Sequence, residues 1–226
     1  MPKPADSGSR VLICDLDGTL LAVNSFKVWV LYWLFWGWLR PGFFLAWSRP
    51  IVLRLIGQLN RWEMKVALLD SYCAFESQLP DVLRRGFPRF VFLFRRRRLC
   101  RVLLGYPYQF QTRILATAAP RLYADAVARS FGIKAVVASD RERGVWVETM
   151  GEEKWRTVRS LWEGNGSMPE CCLVTDHYED LPLSMRCRVT MLVRPNKITL
   201  QRFEEAGITP LEWPQGIRRF LEDSIE

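Results

Sequence analysis

Residues 11–21 read VLICDLDGTLL: four apolar residues, then two aspartates one residue apart, then a glycine. A short apolar run that stops at acids is the pattern of a buried strand delivering carboxylates to one end of a sheet. Similar runs recur at 113–117 (RILAT), after the turn-rich GYPYQF, and at 171–175 (CCLVT) and 190–193 (TMLV), with a weaker one at 136–138. Helical patterns lie between them, at 120–131, 152–162 and 199–206. Strands alternating with helices of this length predict an α/β fold, a parallel sheet with helices on both faces.

In an open parallel sheet, ligands bind outside the carboxyl ends of the strands. Asp15, Asp17, Gly18, Thr117, Lys154, Asp176 and Asp180 are expected there or just beside. Their side chains suit phosphoryl chemistry. Asp15 is a candidate carboxylate nucleophile, and Asp17 a candidate acid and base two residues on. Gly18 permits a tight turn near a phosphate. Thr117 offers a neutral donor, and Lys154 a fixed positive charge for a transition state with spread negative charge. Carboxylates around a phosphate dianion call for a hard cation; Asp15, Asp176 and a backbone carbonyl suit Mg²⁺, with Asp180 orienting a metal water or Lys154.

These segments resemble the haloacid dehalogenase superfamily, in its phosphoserine-phosphatase-like branch. DLDGTL is similar to its first motif, ILATAAPRLYADAVARSFGI to the second, GEEK to the third and VTDHYEDLPL to the fourth. The tail LVRPNKITLQRFEEAGITPLEW is similar to the branch's last strand and helix. The resemblance covers residues 11–24 and about 104–214. It implies a Rossmann-like core with an inserted helical cap after the first strand, and Mg²⁺-dependent phosphomonoester hydrolysis through an aspartyl-phosphate. It makes Asp15 the nucleophile, Asp17 the general acid/base, and Thr117 and Lys154 the phosphate-binding residues, with Lys154 counted beside the two aspartates as catalytic; Gly18 is a candidate phosphate binder through exposed amides at its turn. The metal ligands it implies are Asp15, Asp17 by its carbonyl, and Asp176. Two positions depart from the family pattern: the fourth motif opens Thr175-Asp176-His177 where Gly-Asp-Ser is usual, and Ala119 stands where Ser is common. A catalytic role for His177 is weighed against a structural one, which lone histidines more often have.

The expected organisation is a catalytic core of residues 9–24 and 104–226 and an inserted cap of residues 25–103. From Gly18 to Trp62 there is no Asp or Glu. This argues against a substrate ammonium held by a nearby cap carboxylate, as phosphoserine would need, though a later acid such as Glu63 or Asp70 could serve. Residues 28–39 are uncharged and apolar on every side, yet span only about 18 Å, too short for a bilayer core of about 30 Å. Pro41-Gly42 breaks the run, and a second apolar stretch follows at 43–57. Half of the ten tryptophans (29, 33, 36, 38 and 47) lie here, as interfacial rings would. The chain carries a net charge of +8, and Arg84, Arg85, Arg89, Arg95–Arg98 and Arg101 fall in one acid-free segment. Arginines flanking FVFLF (90–94) combine apolar insertion with attraction to anionic headgroups. A helix buried under its neighbours or in a dimer interface, and a solvated arginine face, remain alternatives. In this apolar, Arg-flanked character the cap resembles the membrane-associated phosphatidylglycerophosphatase C type.

The leading expectation is therefore a phosphatase acting on a lipid-linked phosphate such as phosphatidylglycerophosphate, peripheral or re-entrant at an anionic membrane's cytoplasmic face. The alternatives are a soluble small-molecule phosphatase and a non-enzymatic membrane scaffold. Nucleic acid is not an expected partner, since no recognition motif accompanies the basic run. The six cysteines show no CxxC pairing and the one histidine makes a zinc site improbable. They are read as reduced thiols of a cytoplasmic protein. The N-terminal MPKPADSGSR carries no apolar core of a cleavable signal.

Overall fold

A computed structural model describes residues 10–105, 110–162 and 169–223. The N-terminal stretch 1–9, residues 106–109 of the turn-rich segment, residues 163–168 and residues 224–226 lie outside that description.

In chain order the elements are β1 (Val11–Cys14), α1 (Ser25–Gly37), α2 (Pro41–Leu55), α3 (Arg61–Phe75), α4 (Asp81–Phe92) and α5 (Arg97–Gly105). There follow β2 (Thr112–Pro120), α6 (Arg121–Ser130), β3 (Ala135–Glu142), β4 (Val145–Val147), α7 (Glu152–Ser160) and β5 (Cys171–Thr175). The chain closes with α8 (Leu181–Ser184), β6 (Val189–Val193), α9 (Lys197–Glu205), β7 (Leu211–Trp213) and α10 (Ile217–Asp223). Seven strands make one sheet in the order β4-β3-β2-β1-β5-β6-β7, parallel except for the β3–β4 pair. The fold is the α/β, Rossmann-like sheet expected from the strand and helix alternation.

β1 sits at the centre, with β2 on one side and β5 on the other. All four of its residues are buried, as a strand covered on both faces demands. In register, Cys14 pairs with Leu115 and with Val174. One residue further on, Asp15 stands between the ends of β2 and β5, and the chain order reverses direction across this strand. That crevice is where an open parallel sheet receives a ligand.

Among the described residues, five α-helices intervene between β1 and β2. Asn24 caps α1, its Oδ1 accepting from Lys27 N at 2.9 Å. Asn60 and Glu63 form a reciprocal capping box on α3, at 2.9 and 2.7 Å. The insertion shares its core with the sheet. Trp29 contacts Tyr123 of α6 at 5.7 Å between ring centroids, and Phe87 contacts the same ring at 5.0 Å.

That shared core changes the reading of the tryptophans. Trp29, Trp33 and Trp47 are 2%, 1% and 0% exposed and pack with Phe43 and Tyr72. Three of the five rings expected at headgroup level therefore hold the insertion together. The apolar residues left outside are others, among them Leu31, Phe35, Trp38, Leu45 and Leu55. No helix among the described residues is long and apolar enough to cross a membrane.

These two apolar populations should separate in unfolding experiments. Trp47→Ala is expected to lower stability by about 3–5 kcal/mol in urea denaturation, whereas Leu45→Ala should change it by less than about 1 kcal/mol.

Candidate active site

The aspartates reach the crevice because β1 ends where it does. Asp15 N donates to Val174 O at 2.9 Å, so the backbone is still in sheet register when the first carboxylate leaves it. Gly18 then turns the chain at φ 78°, in the left-handed region. A Cβ at this position would lie 1.9 Å from Asp176 Oδ2, so only glycine lets the turn pass beside Asp176. Thr19 donates to Asp176 Oδ1 at 3.3 Å. Asp17 Oδ1 accepts from Ser25 N at 2.8 Å, at the first residue of α1.

Asp15, Asp17, Thr117, Lys154, Asp176 and Asp180 all line one cavity of about 380 Å³, together with Asn24, Arg61 and His177. Lys154, on the first turn of α7, is 4% exposed. Its Nζ lies 3.0 Å from Asp15 Oδ1 and 2.6 Å from Asp180 Oδ1. Asp180 is in turn held through its Oδ2 by Thr175 Oγ1 at 2.6 Å. Thr175 is the residue that departs from the family's glycine, and its hydroxyl gives Asp180 a fixed orientation. Thr117 Oγ1 accepts from Ala119 N at 3.0 Å, which leaves its own proton to donate into the cavity. His177 Nδ1 accepts from Glu179 N at 3.4 Å, a local turn contact.

Sequence reading passed over a second cation. Lys65 of α3 is buried, donating to Ala118 O at 2.9 Å and pairing with Glu148 Oε1 at 2.5 Å. A lysine in an ordinary helical pattern carries no sign of this; the partner Glu148 is 83 residues away. An adjoining cavity of about 380 Å³ shares Asp17, Asn24, Arg61 and Ala118 with the first and adds Lys27, Lys65 and Glu148. The space beyond the aspartates thus carries three cations, Lys27, Arg61 and Lys65, against the carboxylates of Asp17 and Glu148.

The electrostatics are those of a crowded acidic crevice. Burial pushes Asp15 well above the usual carboxylate range; Lys154 opposes this, while Asp180, Asp176 and Asp17 add to it. Burial raises Asp17 to about 6, against the hydrogen bonds from Ser25. Asp176 is also raised, by burial first, with His177 opposing. For Lys154, burial favours the neutral amine, but Asp15 and Asp180 outweigh it and hold the ammonium charged. Excess buried negative charge and an all-oxygen donor set fit a hard divalent cation. Among the described residues no group of three or more His, Cys, Asp or Glu side chains forms a ready-made metal cluster. The fitting set is smaller: two carboxylates, Asp15 and Asp176, a backbone carbonyl and waters.

A group whose pKa is higher in the folded state stabilises the fold below its unfolded value and loses that contribution as pH rises. For Asp17 the window runs from near 3.8 to about 6. The cost at neutral pH is at most about 3 kcal/mol, since the side chain keeps some solvent contact. In EDTA, Asp17→Asn should therefore gain stability relative to the parent between pH 4 and pH 7, read as diverging melting temperatures; parallel curves would contradict this.

Comparison with known proteins places the geometry in a family. No curated protein sequence matches the chain. Among solved structures, a protein of unknown function from Bordetella pertussis Tohama I is similar, with a TM-score of 0.73 at 20% identity, over 90% of this chain and 98% of that one. A probable phosphoserine phosphatase from Vibrio cholerae is similar with a TM-score of 0.55 at 9% identity, over 96% of this chain and 65% of that one. A magnesium-bound structure from Bacillus subtilis, described as the "putative HAD-hydrolase YfnB", gives a TM-score of 0.51 at 14% identity, over 95% of this chain and 98% of that one. These likenesses are of fold. The family description "haloacid dehalogenase-like hydrolase" matches residues 12–185, which run from the central strand through the helix that follows Asp180. The chain belongs to the haloacid dehalogenase-like hydrolase family.

Proposed function

We propose that this hydrolase is a phosphatase acting on a small phosphorylated molecule through Asp15. The observation that carries the reading is the convergence of Asp15, Asp17, Thr117, Lys154 and Asp176 on one cavity. Asp15 Oδ1 is tied to Lys154, so Oδ2 is the oxygen that attacks phosphorus. A bond forms from Oδ2 to phosphorus as the bond to the leaving oxygen breaks, and Asp17 gives that oxygen its proton. Asp17 then takes a proton from water attacking the phosphoaspartate, releasing phosphate and restoring both carboxyl groups. Thr117 and Lys154 supply hydrogen bonds and charge to the phosphoryl oxygens. Mg²⁺, held by Asp15, the Asp17 carbonyl and Asp176, would neutralise the charge that otherwise repels a phosphate dianion. The magnesium-bound Bacillus subtilis relative supports that choice of ion.

The leaving group would occupy the adjoining space, beside Lys27, Arg61 and the Lys65–Glu148 pair. Glu148 is the one carboxylate there besides Asp17, and it is already paired. This lining favours a leaving group with a negative charge of its own over one carrying a bare ammonium.

A phosphate carried by a lipid is a second reading, favoured by one observation. An apolar groove of about 590 Å³ opens between α1 and α4, lined by Leu31, Phe35, Phe90 and Phe94 among others, and Leu45 and Leu55 nearby in the chain are 71% and 80% exposed.

A phosphate-release screen separates these readings. Sugar, hydroxy-acid and amino-acid phosphates should be compared with micellar lipid phosphates, with and without EDTA. Activity on soluble anionic monoesters, lost in EDTA, is the expected result; release from lipid phosphates alone would select the second reading. Asp15→Asn should reduce turnover roughly a thousandfold or more, and Asp17→Asn roughly a hundredfold or more. An unchanged rate in Asp15→Asn would overturn the assignment.

A further inference from the structure

The active site leaves a second concentration of charge unused. A cavity of about 450 Å³ lies between the start of α5 and the β6–β7 edge of the sheet. Arg96, Arg97, Arg98 and Arg194 line it, with Ala22 and Trp213, and no carboxylate does. Arg194 follows the last residue of β6 with φ 53°, a conformation that costs a non-glycine residue about 1 kcal/mol or more. The arginines arrive from two parts of the chain nearly a hundred residues apart. None of the four makes an ion pair with a carboxylate among the described residues, whereas Arg84, Arg121, Arg186 and Arg202 each do.

Four guanidinium groups around one space repel one another. Burial and the neighbouring Arg194 both disfavour the charged form of Arg96, and Asp176, outside the cavity lining, offsets part of this. The cavity also lies at the start of α5, and a helix N-terminus favours anions. Planar guanidinium groups match phosphate oxygens in pairs. The site is also joined to the catalytic loop. Arg96 Nε donates to Gly18 O at 3.1 Å, Arg96 N to Leu20 O at 2.8 Å, and Ala22 N to Phe94 O at 2.9 Å.

We infer that the cavity lined by Arg96, Arg97, Arg98 and Arg194 is a binding site for a phosphate-bearing anion, separate from the cavity that holds Asp15 and attached to its loop through Arg96. The ligand is a soluble phosphorylated molecule or the headgroup of an anionic lipid; both present the same oxygens. The inference stands independently of the reaction assigned to Asp15.

Isothermal titration of the full chain with inorganic pyrophosphate, in EDTA and at low ionic strength, tests it. Without metal the acidic crevice disfavours the probe, and the arginine variants distinguish binding at the arginine cavity from binding beside Lys27 and Arg61. Saturable binding is expected, weakened about tenfold or more in Arg97→Ala/Arg98→Ala and in Arg194→Ala, each with a melting temperature near the parent's. Arg97→Lys/Arg98→Lys, which keeps the charge but not the paired guanidinium donors, should fall between the parent and the alanine variant, and Thr117→Val should retain all of the affinity. Absence of binding, or binding lost in Thr117→Val but kept in the alanine variants, overturns the proposal. Co-sedimentation with phosphatidylcholine vesicles, with and without phosphatidylglycerol, assigns the source. Pelleting that needs phosphatidylglycerol and the arginines points to a headgroup; arginine-dependent pyrophosphate binding without pelleting points to a soluble ligand.

Discussion

Lys154 stands between Asp15 and Asp180, and the three side chains are all buried. An ammonium removed from water is costly alone, and so is each carboxylate, and the 2.6 and 3.0 Å contacts offset part of what burial takes away. The arrangement works only if the strand end carrying Asp15, the helix carrying Lys154 and the turn carrying Asp180 are fixed to within fractions of an ångström. β1, buried on every residue and paired on both sides, fixes the first. Thr175, the last residue of β5, fixes the third through its hydroxyl. The sheet's central register is in this sense the scaffold for one charge cluster.

A second buried lysine repeats the solution at the other wall. Lys65 leaves the helical insertion, enters the core and meets Glu148 and the Ala118 carbonyl, next to Thr117. Burial alone would favour its neutral form, and Glu148 opposes that. This contact, with the aromatic packing of Trp29 and Phe87 on Tyr123, makes the insertion continuous with the sheet. The proposed leaving-group space is then bounded by two different parts of the chain. Its shape depends on how α3 sits against β2 as much as on the strand ends.

Much of this was legible in the sequence because the chemistry is local there. Asp15, Asp17 and Gly18 are contiguous with an apolar strand, and the other candidates follow strands or open helices that periodicity reveals. What escaped was set by distant partners. Lys65 reads as a solvated helix lysine until Glu148 is placed beside it, and β4 and β7 are three-residue edge strands too short to show a period. The tryptophans misled for a related reason. Composition shows that residues 28–39 are apolar all round, but not which side a neighbouring helix covers. Trp29 and Trp33, four residues apart, share the covered side, and Leu31 and Phe35 share the open one.

The bond from Ser25 N to Asp17 joins the first turn of the insertion to the carboxyl group proposed to handle the proton. Ser25 lowers the proton affinity of Asp17 while burial raises it. Any displacement of α1 away from the loop would break the first influence and admit water to relieve the second. The protonation equilibrium of Asp17 is therefore thermodynamically linked to the position of a helix: whatever moves α1 changes how tightly the proton is held, and loading the proton changes how firmly α1 is held.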